Sequence, residues 1–447
     1  MNWPRLQPLP YLDDVRAYFE CVRDLPAPVW LDSGRPALEQ GRYDIIAADP
    51  VDTLRLQASE AGSAMARLRG LLGEPARPCH PALPFCGGLI GYLGYELGRA
   101  WQGGVINSRE RLAPDLYAGL YDWALVVDHL RQTATLVGMG LAAATREHWS
   151  SLYERFRSAP PAAPVAQVGG ELRSAGLGEP AYAEAFARIQ RYIRDGDVYQ
   201  VNFTRRFEAD SEADPWALYQ RLRSLSPAPY GAFLDLGDHQ VLSNSPEQFL
   251  GLQHGTVRTR PIKGTRARGI DPQQDARLRA DLAASSKDRA ENLMIVDLLR
   301  NDLGRVCAPG SIEVPELFAI ETYATVHHLV STVVGRLRAD RDVFDLLYAC
   351  FPGGSITGAP KRRAMQIIDE LEPVSRELYC GSIFRLGYDG NMDSSISIRT
   401  LLRRDASLYY WAGGGLVADS ECAAEFQESL DKAAAFFALL GTRPPRG

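Results

Sequence analysis

Basic excess, histidine, paired cysteine and long apolar runs are all scarce in this chain of 447 residues. Its net charge is −6, and its arginines are interleaved with acids in the manner of solvated helix faces. No face carries the positive surplus that neutralising a phosphate backbone demands, so nucleic acid is excluded as an expected partner. No apolar run approaches the roughly 20 residues that span a bilayer, and Met1-Asn2-Trp3-Pro4-Arg5 has no signal-peptide character. A cytoplasmic protein away from membranes is expected. The seven histidines show no zinc spacing, and no Walker ending is present. The seven cysteines are odd in number and lack any C-x-x-C pair, which suits reduced thiols better than a disulfide framework. Cys79, His80 and Cys86 are too poorly spaced for zinc and read as structural.

With 46% hydrophobic and 23% charged residues, the chain has an ordinary globular composition and length enough for a large core. Residues 1–157 mix strands and helices, 158–180 are rich in Ala, Pro and Gly and read as a linker, and 181–447 form the remainder. In the first region, 29–31 and 44–48 read as short strands, with Asp32-Ser33-Gly34 turning between them. Residues 87–99 carry too many glycines for a comfortable helix and suggest close backbone packing. Residues 120–128 and 133–139 read as a hairpin. Beyond the linker, 181–194 form a helix stopped at Gly196, and 197–207 a strand.

The stretch Thr259-Arg260-Pro261-Ile262-Lys263-Gly264-Thr265 reads as a strand running into a glycine turn with one lysine at its mouth. Taken alone, Lys263 is an ordinary solvated lysine; held against a carboxylate, it becomes a nucleophile or base. The segment 247–263 reads as a hairpin turning at His254-Gly255. A three-residue turn would oppose Glu247 and Lys263 on one face, whereas a two-residue turn would put them on opposite faces.

Residues 287–304 form a helix that is apolar nearly all round, with Glu291 flanked by Ile295 and Leu298. A carboxylate there must be protonated, paired or bound to a metal. Glu425, Glu428 and Lys432 share one face of a later helix, an arrangement that is often only a surface ladder. Two helices turning carboxylates inward would suit Mg²⁺, a hard cation that takes few protein ligands. The glycine-rich segment 352–361 leads into a helix at 362–371, an arrangement able to present N–H groups to an anion. Residues 394–402 alternate as a strand that places Arg399 on a polar face, able to grip a carboxylate. The partner strand ends in Gly413-Gly414-Gly415, and His328 lies in another strand.

Six motifs in order carry a resemblance to the chorismate-utilising enzymes, nearest their aminodeoxychorismate-forming branch. They are Ser245-Pro246-Glu247, Pro-Ile-Lys263-Gly-Thr, Lys287-Asp-Arg-Ala-Glu291-Asn through Leu303-Gly304, Pro352 to Lys361 around Thr357, Asp393 to Arg399, and Glu425-Phe-Gln-Glu428 with Lys432. The resemblance implies an α+β fold of two large facing antiparallel β-sheets with helices outside, as in component I of anthranilate synthase. Anthranilate synthases carry alanine where Lys263 stands. The lysine branch implies attack by Lys263 on C2 of chorismate and acid–base work by Glu247. Amination at C4 would then give 4-amino-4-deoxychorismate, toward p-aminobenzoate and folate. The same resemblance implies Mg²⁺ held by Glu291 and Glu428 with Glu425 close by. Substrate contacts would come from Gly264, His328, Thr357, Arg399, Gly413, Gly414, Gly415 and Lys432.

No Gly-x-Cys-x-Gly nucleophile elbow is present, so ammonia is expected from a separate glutamine amidotransferase in a heterodimer. Leu31, Ser33, Pro229 and Tyr230 match a pocket that holds tryptophan in the family. Phe384-Arg385 stands where the family usually has Gly-Tyr, so Arg385 either makes a new substrate contact or points away. The competing expectations are anthranilate synthase, isochorismate or salicylate synthase, and a catalytically inactive regulatory subunit.

Overall fold

A computed structural model describes residues 3–444 apart from 35–40, 74–79, 105–108 and 324–325. Among the described residues a 12-stranded and a 10-stranded sheet form, every strand pairing antiparallel. Both sheets draw strands from each side of residue 158, so the segment 158–180 does not separate two independent cores. That segment also adds a short strand, Glu171–Ser174, along part of Gln200–Asp210. The helix after it, Glu179–Arg194, gives way at Gly196 with φ +83°, the left-handed stop expected from the sequence.

The core between the larger sheet and the helices Arg16–Glu20 and Pro215–Leu225 is heavily aromatic. Phe19, Trp30, Trp216, Tyr219 and Phe233 pack with ring centroids 4.5–6.0 Å apart. Residues 87–99 divide into a strand, Gly88–Leu93, and a helix, Tyr95–Trp101. The glycine content is explained at Gly91, where an added Cβ would lie 2.0 Å from the Tyr117 carbonyl oxygen. Gly91→Ala must therefore push two paired strands apart. We expect it to cost about 3 kcal/mol or more, read as a lowered thermal midpoint or loss of folded protein.

Among the described residues, the chain three times passes from one sheet to the other with three residues or fewer between the strands. Asp122 separates Leu116–Tyr121 in the smaller sheet from Trp123–Asp128 in the larger. The hairpin expected at 120–128 and 133–139 therefore begins only at Trp123, pairing with Thr133–Gly138. Pro246 and Glu247 separate Gln240–Ser245 in the larger sheet from Gln248–Gln253 in the smaller. Residues 397–399 separate Met392–Ile396 from Thr400–Arg404, so the single strand expected over 394–402 is two strands in different sheets. Periodicity misses this break because both pieces alternate and their apolar faces remain buried.

The cysteine expectation holds at Cys21, Cys307, Cys350, Cys380 and Cys422, which are free. It fails at Cys86, which is disulfide-bonded; Cys79 lies outside the described residues.

Candidate active site

Glu247 occupies the second crossing, where the Ile396 N–H holds its carbonyl at 3.0 Å. Its side chain is buried, and one carboxylate oxygen accepts the Ser355 hydroxyl at 2.8 Å. Burial raises its pKa, opposed by the charge of Lys263, the Ser355 hydroxyl and the Ile262 N–H.

Lys263 reaches the same place by a different device. The hairpin closes through a two-residue turn, His254-Gly255, with φ +50° and +79°, and its strands pair Gln253 with Thr256. The register that would oppose Glu247 and Lys263 is therefore absent. Thr256–Arg260 and Ile262–Ala267 both pair with Val326–Arg336, and the register shifts between Ile262 and Thr265. Lys263 and Gly264 form that irregularity, and a bulge of this kind re-aims a side chain. Gly264 has φ +80°, and an added Cβ would come within 2.8 Å of the Asp288 side chain. So aimed, the Lys263 ammonium donates to the Ser355 carbonyl at 3.0 Å. Burial lowers its pKa, only partly offset by Glu247 and Glu291.

Ser355 thus bonds both members of the pair, its hydroxyl to Glu247 and its carbonyl to Lys263. Sequence reading passed over it as one polar residue in a glycine-rich loop. The available signal was its place in the Gly-Gly-Ser-Ile-Thr stretch, two residues before Thr357. The loop itself winds into a short 3-10 turn, Gly354–Ile356, before the helix Lys361–Leu371. Lys361 turns inward onto Asp302 at 2.5 Å and the Cys350 carbonyl at 3.0 Å, a structural role. Thr357 is buried, with its hydroxyl donating to the Gly353 carbonyl at 3.0 Å.

Two helices bring the nominated carboxylates to this pair. Glu291 lies on Ser286–Gly304, capped by the Ser285 hydroxyl accepting from Asp288 N–H. Glu425, Glu428 and Lys432 lie on Cys422–Lys432. Burial is the largest influence raising Glu291 and Glu425; partial desolvation also pushes the half-exposed Glu428 up, but Lys432 holds it below its ordinary value. Gly414 sits beneath the second helix. A Cβ there would meet a Glu425 oxygen at 3.1 Å and a Glu428 oxygen at 3.4 Å. Lys432 bridges Glu428 at 2.6 Å and the Gly413 carbonyl at 2.9 Å. Among the described residues, no three His, Cys, Asp or Glu side chains converge as a ready-made metal cage. All-oxygen donors on two helices, two of them meeting over one glycine, nevertheless fit a hard cation completed by water and substrate.

Arg399 stands at the third crossing with φ +51°. Among the described residues its guanidinium has no carboxylate partner, and burial lowers its pKa. An arginine held so is ready to receive an anion. His328 is buried beside it, its Nδ1 sharing a 2.9 Å hydrogen bond with the Thr265 hydroxyl. Burial and then Arg399 depress its pKa to about 3, so the ring is neutral. Gly413 and Gly415 face Thr204 and Asn202 across the strand Gln200–Asp210.

A cavity of about 90 Å³ lies elsewhere between the sheets, with Leu31, Tyr43, Pro229, Tyr230, Arg385 and Asp393 in its lining. Three of the four residues matched to a tryptophan pocket line it. The fourth, Ser33, is buried nearby with its N–H on Asp44 at 2.7 Å. Arg385 donates to the Pro84 carbonyl at 2.5 Å and lies 3.6 Å from Asp393. It lines this cavity.

The model of the chorismate binding enzymes matches residues 27–438. The chain is 46% identical to the aminodeoxychorismate synthase component 1 of Salmonella typhimurium over 96% of both proteins. It is 38% identical to the anthranilate synthase component 1 of Thermus thermophilus over 94% of both. Its fold superposes on anthranilate synthase component I from Streptococcus pneumoniae with a TM-score of 0.78 and 29% identity, covering 89% of this chain and 92% of that one.

Proposed function

Because this chain belongs to the family of chorismate binding enzymes, we propose that it is component 1 of an aminodeoxychorismate synthase, joining ammonia to chorismate. The observation that carries this reading is the opposed displacement of Lys263 and Glu247, lysine pKa lowered and carboxyl pKa raised, on either side of Ser355. A lysine that sheds its proton easily can attack carbon, and a carboxyl that keeps its proton can protonate a departing hydroxyl. In this reading the Lys263 nitrogen bonds to C2 of chorismate while the C4–O bond breaks, with the ring double bonds shifting between. Glu247 gives the proton with which the hydroxyl leaves as water. Ammonia then bonds to C4 as the C2–N bond breaks, which frees the lysine and leaves the enolpyruvyl group in place.

Arg399 and the Gly413–Gly415 backbone would orient the substrate's anionic groups, with neutral His328 and Lys432 at the margins. Mg²⁺ held by Glu291 and Glu428, with Glu425 alongside, would neutralise the ring carboxylate and draw electrons from the ring. The relatives' designation as a component, and the missing nucleophile elbow here, support a separate glutamine amidotransferase as ammonia source. Tryptophan is the ligand we assign to the Leu31–Tyr230 cavity. No described helix is long and apolar enough to cross a membrane, and the setting we propose is the cytoplasm.

The test is product analysis of the purified protein with chorismate, Mg²⁺ and ammonium. Aminodeoxychorismate should form, stop on chelation and resume when Mg²⁺ is restored. Anthranilate, isochorismate or salicylate as the product, or no consumption of chorismate, would overturn the reading.

A further inference from the structure

Behind the reacting pair lies an ion pair that the proposed chemistry does not use. Glu372 follows the helix Lys361–Leu371 in extended backbone, and Arg376 stands four residues further on, past the helix end. They are 3% and 1% exposed. The Arg376 fork grips Glu372 at both oxygens, Nε at 2.8 Å and Nη2 at 2.6 Å. Two further N–H groups go to backbone: Nη1 to the Ile356 carbonyl at 3.0 Å, Nη2 also to the Asn202 carbonyl at 2.7 Å. The guanidinium lies 4.8 Å from the Tyr95 ring centroid. Glu372 in turn accepts the Thr204 N–H at 3.0 Å and the Thr204 hydroxyl at 2.9 Å.

Each backbone group held in this way adjoins the site. Ile356 lies between Ser355 and Thr357. Asn202 and Thr204 pair with Gly415 and Gly413, and the Asn202 N–H donates to the Thr357 carbonyl at 2.9 Å. A buried ion pair is weak evidence for stability, because well-packed apolar residues commonly serve as well. A planar fork with four of its N–H groups directed fixes geometry instead.

We infer that Glu372 and Arg376 are positioning residues, locking the Gly354–Ile356 turn to the strand Gln200–Asp210 so that Ser355 stays between Lys263 and Glu247. The catalytic consequence rests on the function proposed above; the mechanical one does not.

Arg376→Lys keeps the charge and loses the fork. Amide hydrogen exchange on the unliganded variant should quicken at Asn202, Thr204 and residues 355–357, and stay unchanged in the strand Trp123–Asp128. Turnover of chorismate with ammonium should fall about tenfold to a hundredfold in kcat, with KM little changed. Should Arg376→Lys not fold, Thr204→Val, which removes only one hydroxyl donor to Glu372, must show the same pattern more weakly. Unchanged exchange at those amides, quickening spread evenly over both sheets, undiminished kcat, or a loss confined to KM would each overturn the inference. A wild-type protein that ignores chorismate would sink the functional reading alone, because the exchange measurement needs no substrate.

Discussion

Lys263→Ala is expected to lower ammonium-dependent chorismate turnover below about 10⁻³ of wild type while leaving a folded protein. The lysine is aimed by a bulge whose backbone alanine preserves, and Gly264, which needs its positive φ, is untouched. Intact-mass measurement of protein quenched during turnover should find chorismate-derived mass on the wild type and none on the variant. Stability should move the other way. Burial keeps the folded-state pKa of Lys263 below its ordinary 10.5. The folded protein therefore takes up that proton less readily than the unfolded chain. The cost to stability is fully present on the acid side of the folded pKa and fades as the pH climbs toward 10.5. Alanine removes it, so the variant's melting temperature should equal or exceed the wild type's, most clearly at lower pH. Full retention of aminodeoxychorismate synthesis by this variant would remove the lysine from the chemistry.

Glu247→Gln is expected to reduce kcat by about 10²–10⁴-fold, the usual worth of a placed acid–base group. Glutamine is nearly the same shape and can still accept the Ser355 hydroxyl, so the loss isolates the proton. The pH profile carries a sharper signature. In the wild type, activity should rise with pH as Lys263 sheds its proton and fall at higher pH as Glu247 sheds its own. In the variant the alkaline fall should vanish. The rising limb should stay where it is, because Glu247 is uncharged over the range in which Lys263 sheds its proton and glutamine is uncharged too. Profiles of kcat against pH for both proteins decide this. An alkaline fall that persists unchanged in the variant would assign that limb to another group.

Much of this site is legible in the sequence, in an uneven way. Glu291, Glu425, Glu428 and Lys432 are found by helical spacing, and their helices form with the expected faces. Spacing succeeds there because a helix repeats one local geometry from cap to cap. Lys263 and Glu247 are named by motif, and their meeting through hairpin register fails. A turn one residue shorter suffices to cancel it, and a bulge and a sheet crossing bring them together instead. Neither device has a periodic signal. Arg399 was placed on a regular strand face and in fact sits where two strands part company. Ser355 escaped notice because its importance lies in its carbonyl as much as its hydroxyl, and any residue has a carbonyl. The sheets themselves are legible only as strands, since which strand joins which sheet depends on contacts distant in sequence.

The crossings at Glu247 and Arg399 bear on how such proteins diverge. A residue inside a strand is bound by the pleat to face inward or outward, and its replacement must respect neighbours on that face. At a crossing neither sheet enforces its alternation. A side chain there can be exchanged in descent without rewriting the pleat on either side, so reaction chemistry can drift while the two sheets are inherited nearly intact.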